Sequence, residues 1–251
     1  LNMQILPPKT VGIAELNTAI SQKGYGMLSA ASVAEWAGCA LSELQALSPD
    51  WDNMPPDNYL KDGGRYRRRL HSSFVFEHNT LSQVPHRAHW QSLDYNALHG
   101  GMERWFEPMH EATVATPAWT KLLTALANTA TQVRGTPSTK WCIEAHQFRI
   151  DTTDGIGRPT PEGAHRDGVD FVAVFMVNRT DIKGGETRVF EANGPQGERF
   201  TLSEPWSLML LDDTRMIHES TPIQPLAEGG HRDTLVLTCR ADKFQDAEPS
   251  A

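Results

Sequence analysis

The sequence predicts a mainly β fold with flanking helices, of the sandwich or jelly-roll type, and two observations lead to that prediction. From Trp141 onward the chain consists of short segments rich in Val, Ile, Phe and Thr, separated by Gly, Pro, Asn or Asp. Many short strands at fairly regular spacing are typical of sandwiches and jelly rolls. Near the start of the chain, apolar residues instead recur at helical spacing, which predicts an N-terminal helical part.

The length and composition favour one domain and argue against several classes of protein. With no linker and no domain-scale repeat, we expect a single domain over residues 1–251, with a helical part over about 1–60 and a β core over about 65–241. The formal net charge of −8 disfavours a nucleic-acid or anionic-membrane surface. Three widely spaced cysteines, and no signal segment or apolar run of transmembrane length, predict a cytoplasmic protein.

The N-terminal part is predicted to contain three helices. VGIAELNTAISQKG has helical spacing and ends in Gly24, after which residues 25–28 could form a short strand. Ser29 is a suitable N-cap for the next helix, and Ser42 for a third. The Pro-, Asp- and Gly-rich stretch 49–64 is predicted to be irregular.

The middle of the chain predicts one strand and a second helical region. Residues 65–76 are predicted to form a strand, and we expect its arginines to point outward, with packed stems and carboxylate partners. Helices are predicted over 101–112 and 116–133, the second starting at the favourable pair Thr116-Pro117.

The β region contains seven predicted strands and one conspicuous loop. The polar, Gly- and Pro-rich loop 151–164 follows the first strand, and long loops of this kind are either disordered or act as lids. The predicted strands are WCIEAHQFRI, VDFVAVFMVN, ETRVF, ERFTLS, WSLMLLD, RMIHES and DTLVLTCR.

Three residues in this region form a candidate metal site. On a strand or its entry turn, His165 and Asp167 point the same way and Arg166 the opposite way, although HRDG alone would equally suit a surface turn. His218, near the end of a later strand, supplies a third ligand and completes the facial triad of non-haem Fe(II) oxygenases. Other histidines lack a partner at metal-like spacing and are expected to be surface or core residues: His71, His78, His86, His89 and His110.

The chain contains the tripeptide His-Arg-Asp twice, at 165–167 and at 231–233. In the second copy the middle residue, and not the outer two, is predicted to be functional. Arg232 and Thr234 share one strand face, whereas His231 and Asp233 face away. A guanidinium can hold a carboxylate through two charged hydrogen bonds, and a hydroxyl can add a third. The alternative is an ordinary arginine at a strand edge.

These motifs resemble the Fe(II)/2-oxoglutarate-dependent dioxygenase superfamily. The resemblance is carried by His165-x-Asp167, His218 and Arg232-x-Thr234, and by GGET at 184–187. YNALHGGMERWFEP, HRDGVDFVAVFMVNR, KGGETRVFEANG and LLDDTRMIHESTPIQPL more narrowly resemble bacterial dioxygenases of the isoleucine 4-hydroxylase type, which act on free aliphatic amino acids.

The resemblance implies a double-stranded β-helix, or jelly roll, with the helical part packed outside one sheet. It implies that His165, Asp167 and His218 bind Fe(II), and that Arg232, supported by Thr234, pairs with the distal carboxylate of 2-oxoglutarate. The implied reaction uses O₂ to convert 2-oxoglutarate to succinate and CO₂ and hydroxylates an unactivated C–H bond.

The sequence indicates the substrate-binding residues less specifically than it indicates the metal ligands. Gln147 and Arg149 share a strand face and could bind a substrate carboxylate, or could instead pack against another loop. Glu162 could meet a substrate ammonium group or be a solvated lid residue. Asn96 and His99 are expected to form a turn, with a substrate role second.

Four residues near the motifs are expected to act through the backbone. Asp212 and Asp213 are predicted to shape the turn before His218, with hydrogen bonding to a metal-bound histidine as the alternative. Gly184 and Gly185 are predicted to meet a requirement for positive φ.

Three functions remain open at this point. The first is hydroxylation of a free or lightly modified aliphatic amino acid, and the second is oxygenation of a peptidyl or secondary-metabolite substrate. The third, a non-catalytic cupin-like metal- or ligand-binding protein, is disfavoured because such a protein needs no carboxylate clamp at Arg232. We expect a small-molecule substrate and no nucleic-acid or membrane partner, and a homodimer with the helices at its interface is left open.

Overall fold

The N-terminal part is helical, as predicted. The computed structural model describes residues 5–137 and 139–247. No helix of these residues is long and apolar enough to cross a membrane. The elements of this part are α1 (Ile13–Lys23), β1 (Tyr25–Leu28), α2 (Ala30–Ala37), α3 (Leu41–Gln45) and a 3-10 helix (Ser48–Asn53).

The first two helices have the ends that the sequence predicts. α1 ends at Gly24, which adopts φ 90° and donates its backbone N–H to the carbonyl of Ile20 at 2.8 Å. A glycine adopts this left-handed conformation without steric cost, so it terminates the helix cleanly. At the start of α2, the Ser29 hydroxyl accepts the backbone N–H of Ser32.

The third helix and the segment after it differ from the prediction. Ser42 lies inside α3, so the predicted cap at Ser42 is wrong. Ala40 takes the N-cap position, and its N–H donates to the Glu43 carboxylate at 2.7 Å. The stretch predicted to be irregular contains the 3-10 helix, which buries Trp51 against the β core.

The predicted helix over 101–112 is wrong except for its last two residues. Only α4 (Glu111–Val114) forms there, because residues before it bond to the strand β2 (Arg67–Glu77). The His71 N–H donates to the Glu107 carbonyl at 2.9 Å, and the Met109 N–H donates to the Ser72 hydroxyl. Backbone pairing with the strand therefore outweighs the local helical pattern.

The second predicted helix of the middle region is confirmed. α5 spans Pro117–Arg134 and is capped by Thr116, whose hydroxyl accepts the backbone N–H of Trp119. Its apolar face packs against the large β-sheet with the side chains of Leu122 and Leu126 fully buried.

The β region contains every predicted strand and two that the sequence did not reveal, β6 and β11. The remaining strands are β3 (Thr80–Gln83), β4 (Trp141–Asp151), β5 (Phe171–Thr180), β6 (Ile182–Gly184), β7 (Thr187–Glu191), β8 (Gly197–Phe200), β9 (Leu208–Asp212), β10 (Met216–Ser220), β11 (Ile223–Pro225) and β12 (His231–Ala241).

The strands form two opposed layers, which confirms the predicted jelly roll. A seven-stranded sheet has the order β1-β9-β5-β12-β4-β2-β3, and a smaller layer consists of β10-β7-β8 and β11-β6. Gly184 and Gly185 have φ 83° and 69°, as predicted. A Cβ on Gly184 would lie 2.2 Å from the Pro222 carbonyl oxygen, so only glycine fits this close approach.

The two faces of the large sheet have different partners. One face, including Leu235 and Leu237, packs against the helices and forms the larger hydrophobic core. The other face, including Val172 and Met209, packs against Val189 of the smaller layer. Toward one end of the strands, polar residues replace the apolar side chains between the layers, and a pocket opens there.

Candidate active site

The pocket between the two layers brings together most of the residues that the sequence singled out. His165, Asp167, His218, Arg232 and Thr234 all line it. Further lining residues come from β2, β4 and the irregular segment before α4: Arg67, Arg69, His89, Gln91, Asn96, His99, Arg104, His146, Phe148 and Ile150.

Backbone pairing places the two triad histidines side by side. His165 and His218 form an isolated antiparallel bridge in which each N–H donates to the other carbonyl at 3.1 Å. Residues directly opposite each other in such a pair project from the same face, and the two imidazole centroids lie 4.5 Å apart.

Asp167 completes a donor set with the geometry of a metal site. Its carboxylate oxygens lie 3.7 Å from His165 Nε2 and 3.8 Å from His218 Nε2. Two metal–ligand bonds of about 2.1 Å span up to ~4.2 Å, so one ion fits between these atoms. The two nitrogens and one oxygen suit Fe(II) and leave other coordination positions open.

The surroundings of the two histidines suit metal binding. Burial and the neighbouring His165 lower the pKa of His218 well below its usual range, so the imidazole is neutral at neutral pH, as a ligand must be. Burial opposes the charged form of His165, but the carboxylates of Asp167 and Glu162 raise its pKa. His165 Nδ1 lies 2.8 Å from the Gly163 carbonyl, and donation there leaves the Nε2 lone pair facing the site.

Asp213 holds the loop that carries Asp167. Its buried carboxylate accepts the backbone N–H groups of Asp167, Gly168 and Val169 at 2.8–3.1 Å. The aspartate therefore fixes the segment after the first triad histidine. Asp213 therefore does not form the alternative contact, a hydrogen bond to a metal-binding histidine.

Asp212 acts in the predicted turn. Its carboxylate accepts the backbone N–H of Thr214 at 3.0 Å and is held by an ion pair with Arg134 of α5 at 2.7 Å. The turn that leads into β10, and hence to His218, is thus tied to the helix layer.

Arg232 is a buried cation whose guanidinium forms no ion pair with a carboxylate among the described residues. The residue is 5% exposed, and in the part of the chain that the structure describes its side chain makes one hydrogen bond, from Nη2 to the Ser220 hydroxyl at 3.5 Å. Burial lowers its pKa to about 10, which leaves it charged at neutral pH. Thr234 lines the same wall, and its carbonyl accepts the indole N–H of Trp51 at 3.0 Å.

In the second tripeptide, Arg232 faces the pocket as predicted, but Asp233 is not exposed to solvent. Asp233 faces away from the pocket, yet it is buried and pairs with Arg149 at 2.8 Å. The 3-10 helix covers this face of the sheet and supplies Asp52, which also pairs with Arg149 at 2.8 Å.

Gln147 and Arg149 do share a strand face, but the suggestion that they bind substrate is wrong, because that face lies opposite the pocket. The Gln147 side-chain amide donates to the Asp50 carboxylate at 3.0 Å, and Arg149 is held by Asp233 and Asp52. The face toward the pocket presents the alternate residues of β4: His146, Phe148 and Ile150.

Glu162 does line the pocket. Its carboxylate lies 3.4 Å from His165 Nε2. The carboxylate accepts no hydrogen bond from the described residues. Asn96 forms the expected turn by accepting the backbone N–H groups of Leu98 and His99. His99 also lines the pocket, and its Nε2 accepts the backbone N–H of Lys61 at 3.2 Å.

Sequence spacing missed a second cluster of histidines, which we call the Glu144 cluster: His71, His89, Glu144 and His146. One Glu144 oxygen lies 2.9 Å from His71 Nε2 and 3.1 Å from His89 Nδ1. The expectation that His71 and His89 lack a partner at metal-like spacing is therefore wrong, whereas both are buried, in agreement with the expectation of surface or core histidines. Four donor atoms of the cluster lie within 4.8 Å of one another. Because three separate segments of the chain supply them, no local sequence motif predicts the cluster.

Three further buried residues were not predicted from the sequence, and we call them the arginine cluster: Arg67, Arg69 and Arg104. The expectation that the arginines of the segment 65–76 point outward holds for Arg65 and Arg68 and is wrong for Arg67 and Arg69. Arg67 and Arg69 point into the pocket, where Arg69 lies over the Phe106 ring at 3.7 Å from its centroid. The period-two alternation of RYRRR was the available signal, since it places Arg67 and Arg69 on one face.

Comparisons with known proteins agree with this geometry. A family model described as 2OG-Fe dioxygenase matches residues 48–238. The crystal structure of a bsmA homolog from Methylobium petroleophilum PM1 is 49% identical, with a TM-score of 0.91 over 98% of this chain and 100% of that one. No curated protein matches the sequence.

Two more distant structures share the fold. IDO from Bacillus thuringiensis is 20% identical, with a TM-score of 0.75 over 92% of this chain and 100% of that one. The Fe(II)/α-ketoglutarate-dependent dioxygenase TqaL is 18% identical, with a TM-score of 0.65 over 94% of this chain and 92% of that one.

Proposed function

The chain belongs to the 2OG-Fe dioxygenase family, and from that premise we propose that it hydroxylates a free or lightly modified aliphatic amino acid. It is a non-haem dioxygenase that uses Fe(II), 2-oxoglutarate and O₂. In the balanced reaction, one oxygen atom of O₂ enters succinate, the other enters the substrate as a hydroxyl, and CO₂ leaves.

The proposal rests on one observation: a metal-type donor set lines the same pocket as a buried arginine that has no carboxylate partner among the described residues. We propose that His165, Asp167 and His218 bind Fe(II), which with 2-oxoglutarate supplies the oxidising chemistry. Arg232, with Thr234 beside it, is proposed to bind the distal carboxylate of 2-oxoglutarate, because a buried guanidinium needs an anionic partner.

The protein residues then position and shield the reactants. Asp213 keeps Asp167 in place through three backbone hydrogen bonds, and the pairing of His165 with His218 fixes both imidazoles. Val174, Met209 and Val236 give the pocket an apolar wall. Such a wall suits an aliphatic side chain and excludes water from the site of oxidation, which supports an aliphatic amino acid as substrate.

The N-terminal part is proposed to belong to the same domain as the β core. Support comes from β1, whose residues Tyr25–Leu28 pair with β9 at the edge of the large sheet. The cytoplasmic location stays a prediction of the sequence.

The test is a panel of L-amino acids incubated with the iron-loaded enzyme, 2-oxoglutarate and O₂. We expect at least one aliphatic member to give equal amounts of succinate and of a product heavier by one oxygen atom. His218→Ala is the control, and it should give neither. If a peptide or an N-acylated metabolite is oxidised and no free or lightly modified amino acid is, the substrate assignment is overturned.

A further inference from the structure

The arginine cluster is a rigid, deeply buried group of cations at the wall of the pocket. Arg67, Arg69 and Arg104 are 5%, 3% and 2% exposed. The guanidinium of Arg69 lies over two aromatic rings, 3.7 Å from the centroid of Phe106 and 4.5 Å from that of Phe148. Stacking between rings holds a guanidinium in one orientation, which is characteristic of a site prepared for a planar anion.

The cluster carries more positive charge than nearby carboxylates neutralise directly. Asp57 bonds Arg67 at 2.7 Å and lies 3.8 Å from Arg69. Arg104 forms no ion pair with a carboxylate among residues 5–137 and 139–247, and its Nη2 donates to the neutral amide of Gln91 at 3.0 Å. A buried cation without an anionic partner is costly, so the cluster favours binding of an anion.

Much of the donor capacity of these arginines is also unused. In the described structure, only one side-chain nitrogen of each arginine donates a hydrogen bond: Nε of Arg67, Nη2 of Arg69 and Nη2 of Arg104. Arg67 Nη2, Arg69 Nε and Arg104 Nε are buried and have no hydrogen-bond partner within residues 5–137 and 139–247. Native proteins rarely leave so many charged donors unsatisfied in one place, which points to a ligand that accepts hydrogen bonds.

The Glu144 cluster does not supply the missing anion. The Glu144 oxygen nearest the histidines is already bonded by His71 and His89, and no ion pair joins Glu144 to Arg69 or Arg104 among the described residues. His146 Nδ1 accepts the Nη2–H of Arg69 at 2.9 Å, which orients the guanidinium but leaves its charge in place.

We propose that Arg67, Arg69 and Arg104 form the subsite that binds the carboxylate of the substrate, separate from the 2-oxoglutarate clamp at Arg232. Glu162 lies beside His165 and faces the ammonium group of the same substrate. The carboxylate and the ammonium group on the α-carbon of the amino acid are then held by opposite charges, and its aliphatic part occupies the pocket that Val174, Met209 and Val236 share with the triad. This inference rests on the proposed function for the identity of the substrate.

The test measures binding in the absence of turnover. The anaerobic enzyme loaded with Fe(II) and saturated with 2-oxoglutarate is titrated with 4-methylpentanoate and with neutral 4-methylpentanamide, and the visible absorption band of the complex is followed. We expect wild type to bind the carboxylate at least about 10-fold more tightly than the amide, as for a hydrogen-bonded ion pair. Arg104→Gln and Arg69→Gln should lose that preference, and Arg104→Lys should keep part of it.

Arg68→Gln is the matched control, because Arg68 lies between the two strand arginines but faces outward. It should retain the full preference, and thermal melting should verify that every variant is folded. The KM for 2-oxoglutarate should stay within about twofold of wild type in the cluster variants, whereas a general loss of structure would raise it too. Equal binding of carboxylate and amide by wild type, or an unchanged preference in the cluster variants, overturns the subsite.

The outcomes separate this inference from the proposed function. If arginine-dependent binding of 4-methylpentanoate persists but no amino acid of the panel is oxidised, the carboxylate subsite stands and the substrate assignment fails. If an amino acid is oxidised but its KM is the same in wild type and Arg104→Gln, the assigned function stands and the subsite fails.

Discussion

The triad and the Glu144 cluster both combine histidine with a carboxylate at the same pocket, but they differ in how closely their polar atoms approach. In the triad, the carboxylate oxygens of Asp167 stand 3.7 and 3.8 Å from the imidazole nitrogens. In the Glu144 cluster, the corresponding distances to His71 and His89 are 2.9 and 3.1 Å.

That difference separates an open donor set from a closed hydrogen-bond network. Polar atoms 3.7 Å apart are too distant for a good hydrogen bond and leave lone pairs available to an ion. Atoms 2.9 Å apart already share a proton and satisfy each other. Residue types alone therefore do not identify the metal site, whereas the spacing of the donor atoms favours the triad.

The largest expected effect follows from removing a triad ligand. His165→Ala or His218→Ala should lower bound iron from one equivalent to near zero and reduce succinate formation at least about 100-fold, because a two-ligand site holds the metal weakly. Metal analysis and a succinate assay measure both quantities.

The matched variant in the other cluster is His89→Gln, which should retain its iron. A second equivalent of iron in wild type that is lost in His89→Gln would contradict the interpretation of the Glu144 cluster as a closed network.

The next effect compares the two strand faces of the second His-Arg-Asp tripeptide, His231-Arg232-Asp233. Arg232→Gln should raise the KM for 2-oxoglutarate about 10- to 100-fold, because a charged hydrogen bond contributes roughly 1.5–3 kcal/mol. Steady-state kinetics at saturating substrate measure this change. His231→Gln, one residue earlier and on the opposite strand face, is the control, and equal KM values for both variants would refute the role of Arg232.

A smaller effect concerns the pH dependence of stability. Burial lowers the pKa of His89 to about 4, whereas the unfolded chain binds this proton near 6.5. Between these values the unfolded state holds more protons, so the free energy of unfolding of the metal-free protein should fall as pH is lowered from about 6.5 to 4, by roughly 1–3 kcal/mol. The titratable groups that face His89 are Glu144, Arg104, His71 and His146.

Urea unfolding across this pH range tests the sign. His89→Gln should show a shallower decline than wild type, and His78→Gln, at an exposed position, should reproduce the wild-type slope. A stability that rises on acidification through this window would contradict the assignment of a buried neutral imidazole.

The smallest effect is expected on the face of β4 that points away from the pocket. Gln147→Ala should change the KM of substrate and of 2-oxoglutarate less than about twofold, with a stability loss of about 1 kcal/mol from its bond to Asp50. Kinetics and thermal melting measure the two. A KM raised 10-fold or more, with unaltered folding, would place Gln147 in the site after all.

Local chemistry was enough to predict much of the fold. The ends of α1 and α2 follow from Gly24 and Ser29, because caps depend on a few neighbouring atoms. The strands from Trp141 onward follow from their β-branched and aromatic composition. The helix predicted over 101–112 failed because its backbone found partners in a strand far away in sequence, which local propensity does not register.

By itself, the sequence determined which side chains share a strand face: His165 with Asp167, Arg232 with Thr234, and Gln147 with Arg149. Alternation is a property of the extended backbone, so it needs no tertiary information. Only the tertiary structure decided which of the two faces meets the pocket. Both faces of the large sheet are covered, one by helices and one by the smaller layer, so the pattern of buried residues does not distinguish them. For the same reason Arg67 and Arg69 turned inward, Gln147 turned away, and the Glu144 cluster formed from segments that no spacing along the chain connects.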